Sequence, residues 1–187
     1  DTLNAKAAIR AAELSMEKTG RKVPLMLSVT VSDVGGRTLS GQTLDAFLAS
    51  VEHADIFSIG LNCSFGARQL KPFLERLAAR APYYISAYPN AGLPNTLGQY
   101  DQTPEDMAAE VKEYIDEGLV NIIGGCCGTT EKYIAKYQDL IRGVQSRVPV
   151  QPHKYMWLSG LELLEVSPEI NFVNVGERCN VAGSRKF

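Results

Sequence analysis

The chain has 187 residues, with 19 Lys and Arg against 21 Asp and Glu, a formal charge of −2 and 45% hydrophobic residues. That length suggests one domain with a sizeable core, or one domain plus a stub, and the near-neutral balance speaks against a nucleic-acid module, which carries a basic excess. No apolar run approaches the ~20 residues of a membrane span, and the first residues show no signal-peptide pattern. Four cysteines, Cys63, Cys126, Cys127 and Cys179, are too few to staple a secreted domain of this size. Two of them are adjacent and cannot form a low-strain disulfide with each other. Free or metal-bound thiols in a reducing, cytoplasmic setting are therefore expected.

Along the chain, short apolar runs alternate with amphipathic ones. Residues 4–18 are Ala-rich with Leu and Ile at helical spacing, closed by Thr19-Gly20, and predict a helix. LMLSVTV (25–31) predicts a strand, followed by a glycine-rich turn at 33–38 and a helix over 43–53. A second strand is expected at 55–61 and a helix over 67–80; a third strand at 83–87 leads into an irregular segment, 88–101. Thr103-Pro104-Glu105 reads as a helix start, with Thr as cap and Pro at the first helical position, running to 117. A fourth strand at 119–123, a loop at 124–129 and a helix over 131–142 complete the series. Such alternation implies parallel crossovers in one sheet, either half of an eight-stranded (β/α) barrel or a small open sheet. The rhythm stops near 148. Residues 148–169, with Pro149 and Pro152, read as a linker after a domain at 1–147, and 170–187, with NFVNV, as the start of something else.

In parallel α/β proteins the working residues collect where strands feed their helices. Cys63 lies just past the second expected strand, in GLNCSFG, and Cys126 and Cys127 follow the fourth, in GGCCGTT. Three thiols can thus converge on one face. Three soft sulfurs suit Zn²⁺, and a catalytic zinc keeps one further position for substrate. His53, expected at a helix end on the opposite face, and His153, expected as a solvated linker residue, supply no obvious fourth ligand. Other readings stay open at this point: Cys63 as a buried small hydrophobe, the Cys126-Cys127 pair as a redox dithiol on an inert α/β scaffold, or Gly124-Gly125 as a weak phosphate cradle lacking the usual glycine motifs. Glu110, Lys112, Glu113 and Asp116 read as a solvated helix face, and Cys179 carries no assigned role. Without metal, the loop at 124–129 is expected to be disordered.

The strings GLNCSFG, YPNAGLPN and GGCCGTT, in this order and spacing, resemble the homocysteine-binding zinc domain of the cobalamin-dependent methionine synthases, from residue 1 to about 142. VSDVGGRTLSGQT resembles that family's connection before the first zinc cysteine, and FVNVGERCNVAGSRKF the opening of its folate-binding domain. A homocysteine methyltransferase of the betaine or S-methylmethionine type would share the cysteines without continuing into that second domain. The resemblance implies that 1–147 is the second half of a (β/α)8 barrel and that 170–187 begins a truncated pterin domain. It implies that Cys63, Cys126 and Cys127 are the zinc thiolates. Asn90, in YPNAG, matches an asparagine whose side-chain oxygen completes the zinc shell until homocysteine displaces it. Glu177 and Asn180 match the folate-domain loop. The implied reaction moves a methyl group from methylcobalamin to zinc-bound homocysteine, giving methionine, and methyltetrahydrofolate restores it; cobalamin and folate belong to domains outside this chain. Half a barrel is expected to bind zinc without competent homocysteine recognition, to be inactive alone, and to pair its exposed edge strand in a dimer.

Overall fold

A computed structural model of the chain describes residues 1–174 and 176. Helix α1 (Thr2–Thr19) is capped by the Asp1 carboxylate, which accepts from the Leu3 and Asn4 amides, and ends at Gly20 in the left-handed conformation. Strand β1 (Leu25–Val29) follows. Thr43 caps α2 (Leu44–Val51) by accepting from the Ala46 amide. Next come β2 (Ile56–Gly66), α3 (Ala67–Arg80) and β3 (Tyr84–Asn90). Thr103 caps α4 (Pro104–Asp116), whose first residue is the proline. The short β4 (Ile122–Ile123) and α5 (Glu131–Leu140) complete the repeat.

β1, β2, β3 and β4 form one sheet in that order, every pair parallel. The protein is thus a mixed α/β fold whose parallel strands alternate with helices, as in part of a (β/α) barrel. The spacing of apolar residues explains the packing. Leu70, Leu74 and Leu77 lie on one side of α3, which packs on β2 and β3, and Met107, Val111 and Tyr114 do the same on α4. They share one buried core with Ile59, Leu61, Ile85 and Ala87 of the two central strands, four residues with no exposed surface. Full burial of one such side chain contributes about 1.5–3 kcal/mol. Among the described residues no helix is long and apolar enough to cross a membrane.

Three elements depart from the sequence pattern. β2 runs on to Gly66 instead of ending at Leu61. β4 keeps two residues of the expected five, because Asn121 intrudes: its amide donates to the Ile85 carbonyl (2.8 Å) while its side-chain oxygen accepts from the Ile85 amide (3.0 Å). A side chain there does the work of the next ladder carbonyl.

The third departure is larger. The stretch read as a linker, 148–169, carries an antiparallel hairpin, β5 (Met156–Ser159) and β6 (Leu163–Val166), packed on α2. Ser159 Oγ donates to the Ala46 carbonyl (2.6 Å), Gln42 Nε2 to the Gly160 carbonyl (2.9 Å), and the Thr43 amide to the Leu161 carbonyl (2.9 Å). Trp157, 8% exposed, stacks on His153 with ring centroids 3.6 Å apart and donates to Glu165. His153 is therefore not a solvated linker residue; its ring nitrogens lie 2.6 Å from Glu52 Oε2 and 2.6 Å from the Tyr155 carbonyl. His53 is exposed just beyond α2. The buried Arg147 guanidinium donates to the carbonyls of Ala78, Ala81 and Tyr83, closing off the end of α3. The expected opening strand finds no counterpart at 171–174, and Glu177, Cys179 and Asn180 lie outside the described residues.

Replacing the docked ring tests the hairpin. Trp157→Ala should lower stability by roughly 3 kcal/mol, as for a large buried aromatic, and accelerate amide exchange across β5 and β6. Unchanged exchange in those strands would mean that this stretch is a linker after all.

Candidate metal centre

Cys63 does not sit in a loop beyond its strand. It sits in a bulge within β2, where the register against β3 slips between Asn62 and Gly66. Cys63 and Ser64 take φ of 62° and 64°. Two successive non-glycine residues in the left-handed region cost on the order of 1–3 kcal/mol each, so the surroundings must impose the turn. On one side Ser28 of β1 donates to the Asn62 side chain (2.6 Å). On the other, Gly66 regains register opposite Asn90, and Phe65 packs against Phe73 of α3. The bulge turns the Cys63 side chain toward the second sulfur-bearing segment.

That segment, 124–129, is held by β3. The Gly124 amide donates to the Ala87 carbonyl (3.0 Å), the Cys126 amide to Pro89 (2.9 Å), and the Ala91 amide to the Cys127 carbonyl (2.9 Å). Thr129 folds back through its amide and hydroxyl onto the Cys126 carbonyl (3.2 and 2.7 Å). These bonds pin the loop, contrary to the expectation that only a metal would order it. Gly128 is needed twice over. Its φ is +80°, and a Cβ there would meet Tyr100 Cβ at 2.5 Å.

The result is a cluster of three half-buried thiols. Cys63 Sγ lies 3.6 Å from Cys127 Sγ, which lies 4.0 Å from Cys126 Sγ, and all three fall within 4.8 Å of one another. A tetrahedral zinc with Zn–S bonds near 2.3 Å sets its sulfurs about 3.8 Å apart. The Cys63–Cys127 and Cys126–Cys127 separations bracket that value, so the donor set fits a zinc ion both in softness and in span. Asn90, 2% exposed, joins the cluster: its Oδ1 accepts from the Cys127 amide (3.1 Å).

The sulfurs differ electrostatically. The Ser64 backbone N–H, followed by the neighbouring thiols and the Asn90 side chain, draws Cys63 below the ordinary thiol range against the effect of burial. Burial first, and then the two other sulfurs, push Cys126 up to about 11. Tyr100, in the segment read only as irregular, stands near the cluster; burial first, and then the neighbouring thiols with Cys127 foremost, raise its pKa. No local pattern singles out Tyr100. Its only sequence signal is the glycine at 128 that leaves room for its ring.

A parallel sheet of strand–helix units carrying a trithiol centre at strand ends defines a protein class. The model of one family, homocysteine S-methyltransferase, matches residues 1–141, about three-quarters of the sequence. The chain belongs to the homocysteine S-methyltransferase family, enzymes that methylate the homocysteine thiol.

In metal-free protein the order of alkylation should follow the pKa order. Near pH 8, well below 11, Cys126 is almost wholly protonated, whereas the lowered Cys63 holds more thiolate; intrinsic nucleophilicity falls only about 0.4–0.5 log units per pKa unit, so thiolate fraction decides. Limiting iodoacetamide should label Cys63 before Cys126, with Cys126 catching up as pH rises toward 11. Peptide mass mapping that finds Cys126 labelled first contradicts the assignment.

Proposed function

We propose that this chain is the zinc-binding half of the homocysteine domain of a cobalamin-dependent methionine synthase, with Cys63, Cys126 and Cys127 as the metal ligands. The observation that carries the reading is the sulfur triangle, whose 3.6 and 4.0 Å edges suit a tetrahedral zinc. A vicinal dithiol acting in redox chemistry would need two sulfurs; Cys63, strained into position in its bulge, is the third. The four-stranded sheet makes about half of an eight-stranded barrel. In this reading, cobalamin and methyltetrahydrofolate bind other domains of the parent enzyme, 170–187 opens its folate domain, and 1–147 with the docked hairpin forms the zinc half.

Zinc, when bound, would supply Lewis acidity that keeps the substrate sulfur a thiolate at neutral pH, where a free thiol with pKa near 8.5 is only a few per cent ionised. The chain's own residues do the rest. Three cysteinates make the site electron-rich, so a fourth sulfur placed beside them stays nucleophilic. The Ser64 N–H stabilises Cys63 as an anion. Asn90, held by the Cys127 amide, presents its carboxamide beside the sulfurs; we assign its oxygen as the group that fills the fourth position until homocysteine arrives. Three free thiolates also require a reducing compartment, in keeping with a cytoplasmic enzyme. Recognition of the amino and carboxylate ends of homocysteine falls to the other half-barrel, so this chain alone is assigned no turnover.

Protein purified without added metal should carry about one zinc per chain by elemental analysis. Cys63→Ser should weaken it more than ~100-fold, beyond the 10–100-fold typical of outer-shell changes. Three fully alkylatable thiols and no zinc uptake would sink the proposal and favour an inert scaffold. Among the described residues β1 pairs on one side only, which supports a second expectation. At ~100 µM, where weak edge pairing registers, sedimentation should give a mass above the monomer's; a clean monomer argues against the dimer.

A further inference from the structure

The three sulfurs are not held alike. Cys126 and Cys127 lie in a segment that three backbone hydrogen bonds tie to the end of β3 and to Ala91, with the Asn90 side chain on the Cys127 amide as a fourth. Cys63 instead stands in a bulge, 63–65, between two registered pairs, Asn62 with Tyr88 and Gly66 with Asn90. Its φ of 62° is one that a non-glycine residue keeps only when the surrounding structure imposes it. Metal–ligand distances hold to about ±0.2 Å. The third sulfur is therefore the one whose placement decides whether the span suits an ion.

The Gly66 end of the bulge is fixed by β3. The Asn62 end has a tie to the other neighbouring strand, where Ser28 Oγ of β1 donates to Asn62 Oδ1 at 2.6 Å. Ser28 stands opposite Gly60 in the ladder, so its hydroxyl reaches diagonally to the residue two places on, where β2 leaves register. Among the described residues it is the only side-chain hydrogen bond from β1 to β2. The φ of Cys63 is the rotation that follows the Asn62–Cys63 peptide, and that peptide turns with Asn62. Anchoring the Asn62 side chain thus restrains the torsion that aims the Cys63 sulfur.

We propose that Ser28 is a positioning residue for the metal centre, its hydroxyl holding Asn62 so that the bulge presents Cys63 to the ion. The inference rests on the zinc reading above and extends the centre from its ligands to β1. Ser28 is exposed, and water competes for its hydroxyl. Loss of the bond should therefore fall at the lower end of the 10–100-fold by which residues behind the ligands typically change metal affinity.

The test measures zinc affinity of the full chain by competition with a chromophoric chelator, for wild type, Ser28→Ala, Asn62→Ala, the double variant and Ser28→Thr. Cobalt(II), loaded in place of zinc, reports sulfur ligation through its thiolate absorption. Ser28→Ala should bind zinc about tenfold more weakly and lose cobalt–thiolate absorption per bound metal. Ser28→Thr, which keeps the hydroxyl, should match the wild type in both. Because the two residues act through one bond, the double variant should lose no more than the worse single one. Wild-type affinity in Ser28→Ala overturns the inference, as do additive losses in the double variant or an equal loss in Ser28→Thr. If circular dichroism shows Ser28→Ala unfolded, Asn62→Ala decides, and wild-type affinity there overturns it. Unfolding of both overturns it too, since the bond would then hold the fold and not one ligand. Failure of the wild type to take up zinc overturns the zinc reading, and this inference falls with it.

Discussion

Both sulfur-bearing segments are hydrogen-bonded to the end of β3. Gly66, which closes the Cys63 bulge, pairs with Asn90; the Cys126 amide and the Cys127 carbonyl bond to Pro89 and Ala91 on either side of it. The Asn90 side chain takes the Cys127 amide as well. Three consecutive residues, the last two of β3 and the one after them, therefore fix where three sulfurs meet, although those sulfurs come from positions far apart in the chain. Everything chemical in the molecule follows from that junction. Were the end of β3 to shift, the sulfur separations would change together and the metal span would be lost.

The arrangement also carries a cost. Two left-handed non-glycine residues in the bulge and thiols crowded within 4.8 Å are both unfavourable without a compensating partner. Strain of this kind persists only where surrounding structure over-determines it, and here two neighbouring strands and α3 do so. A cation would relieve the second cost, because three thiolates repel each other and a divalent ion neutralises most of their charge. The three sulfurs already stand at separations that a tetrahedral ion could span.

Much of this was legible in the residues. α3 matches its expected span because Leu70, Leu74 and Leu77 repeat at helical spacing, and α4 starts where Thr103-Pro104 says it must. The cysteines were found by the rule that chemistry gathers at strand ends, yet for Cys63 the local geometry differs: the strand continues past it, and a bulge, invisible to a search for alternation, turns the side chain. β4 shrank because the Asn121 side chain could occupy ladder positions, a competition that propensity does not see. The hairpin was hidden by Pro149 and Pro152. MWLS and LLEV, three residues apart around Gly160, carried a readable signal, but what holds them is docking on α2, a tertiary contact. Tyr100 was beyond reach for the same reason, since its meaning depends on Gly128 across the fold.

The hairpin has one more consequence. The sequence contains a single tryptophan, and it is Trp157, sandwiched between the His153 imidazole and the Arg80 guanidinium, whose central carbon lies 5.8 Å from the indole centroid. Ultraviolet emission excited at the red edge of protein absorbance therefore originates at one place, remote in sequence from every cysteine of the cluster. The molecule carries an optical gauge of its own rear seam, and light from that indole registers β5 lifting off α2 without the tyrosines near the sulfurs contributing.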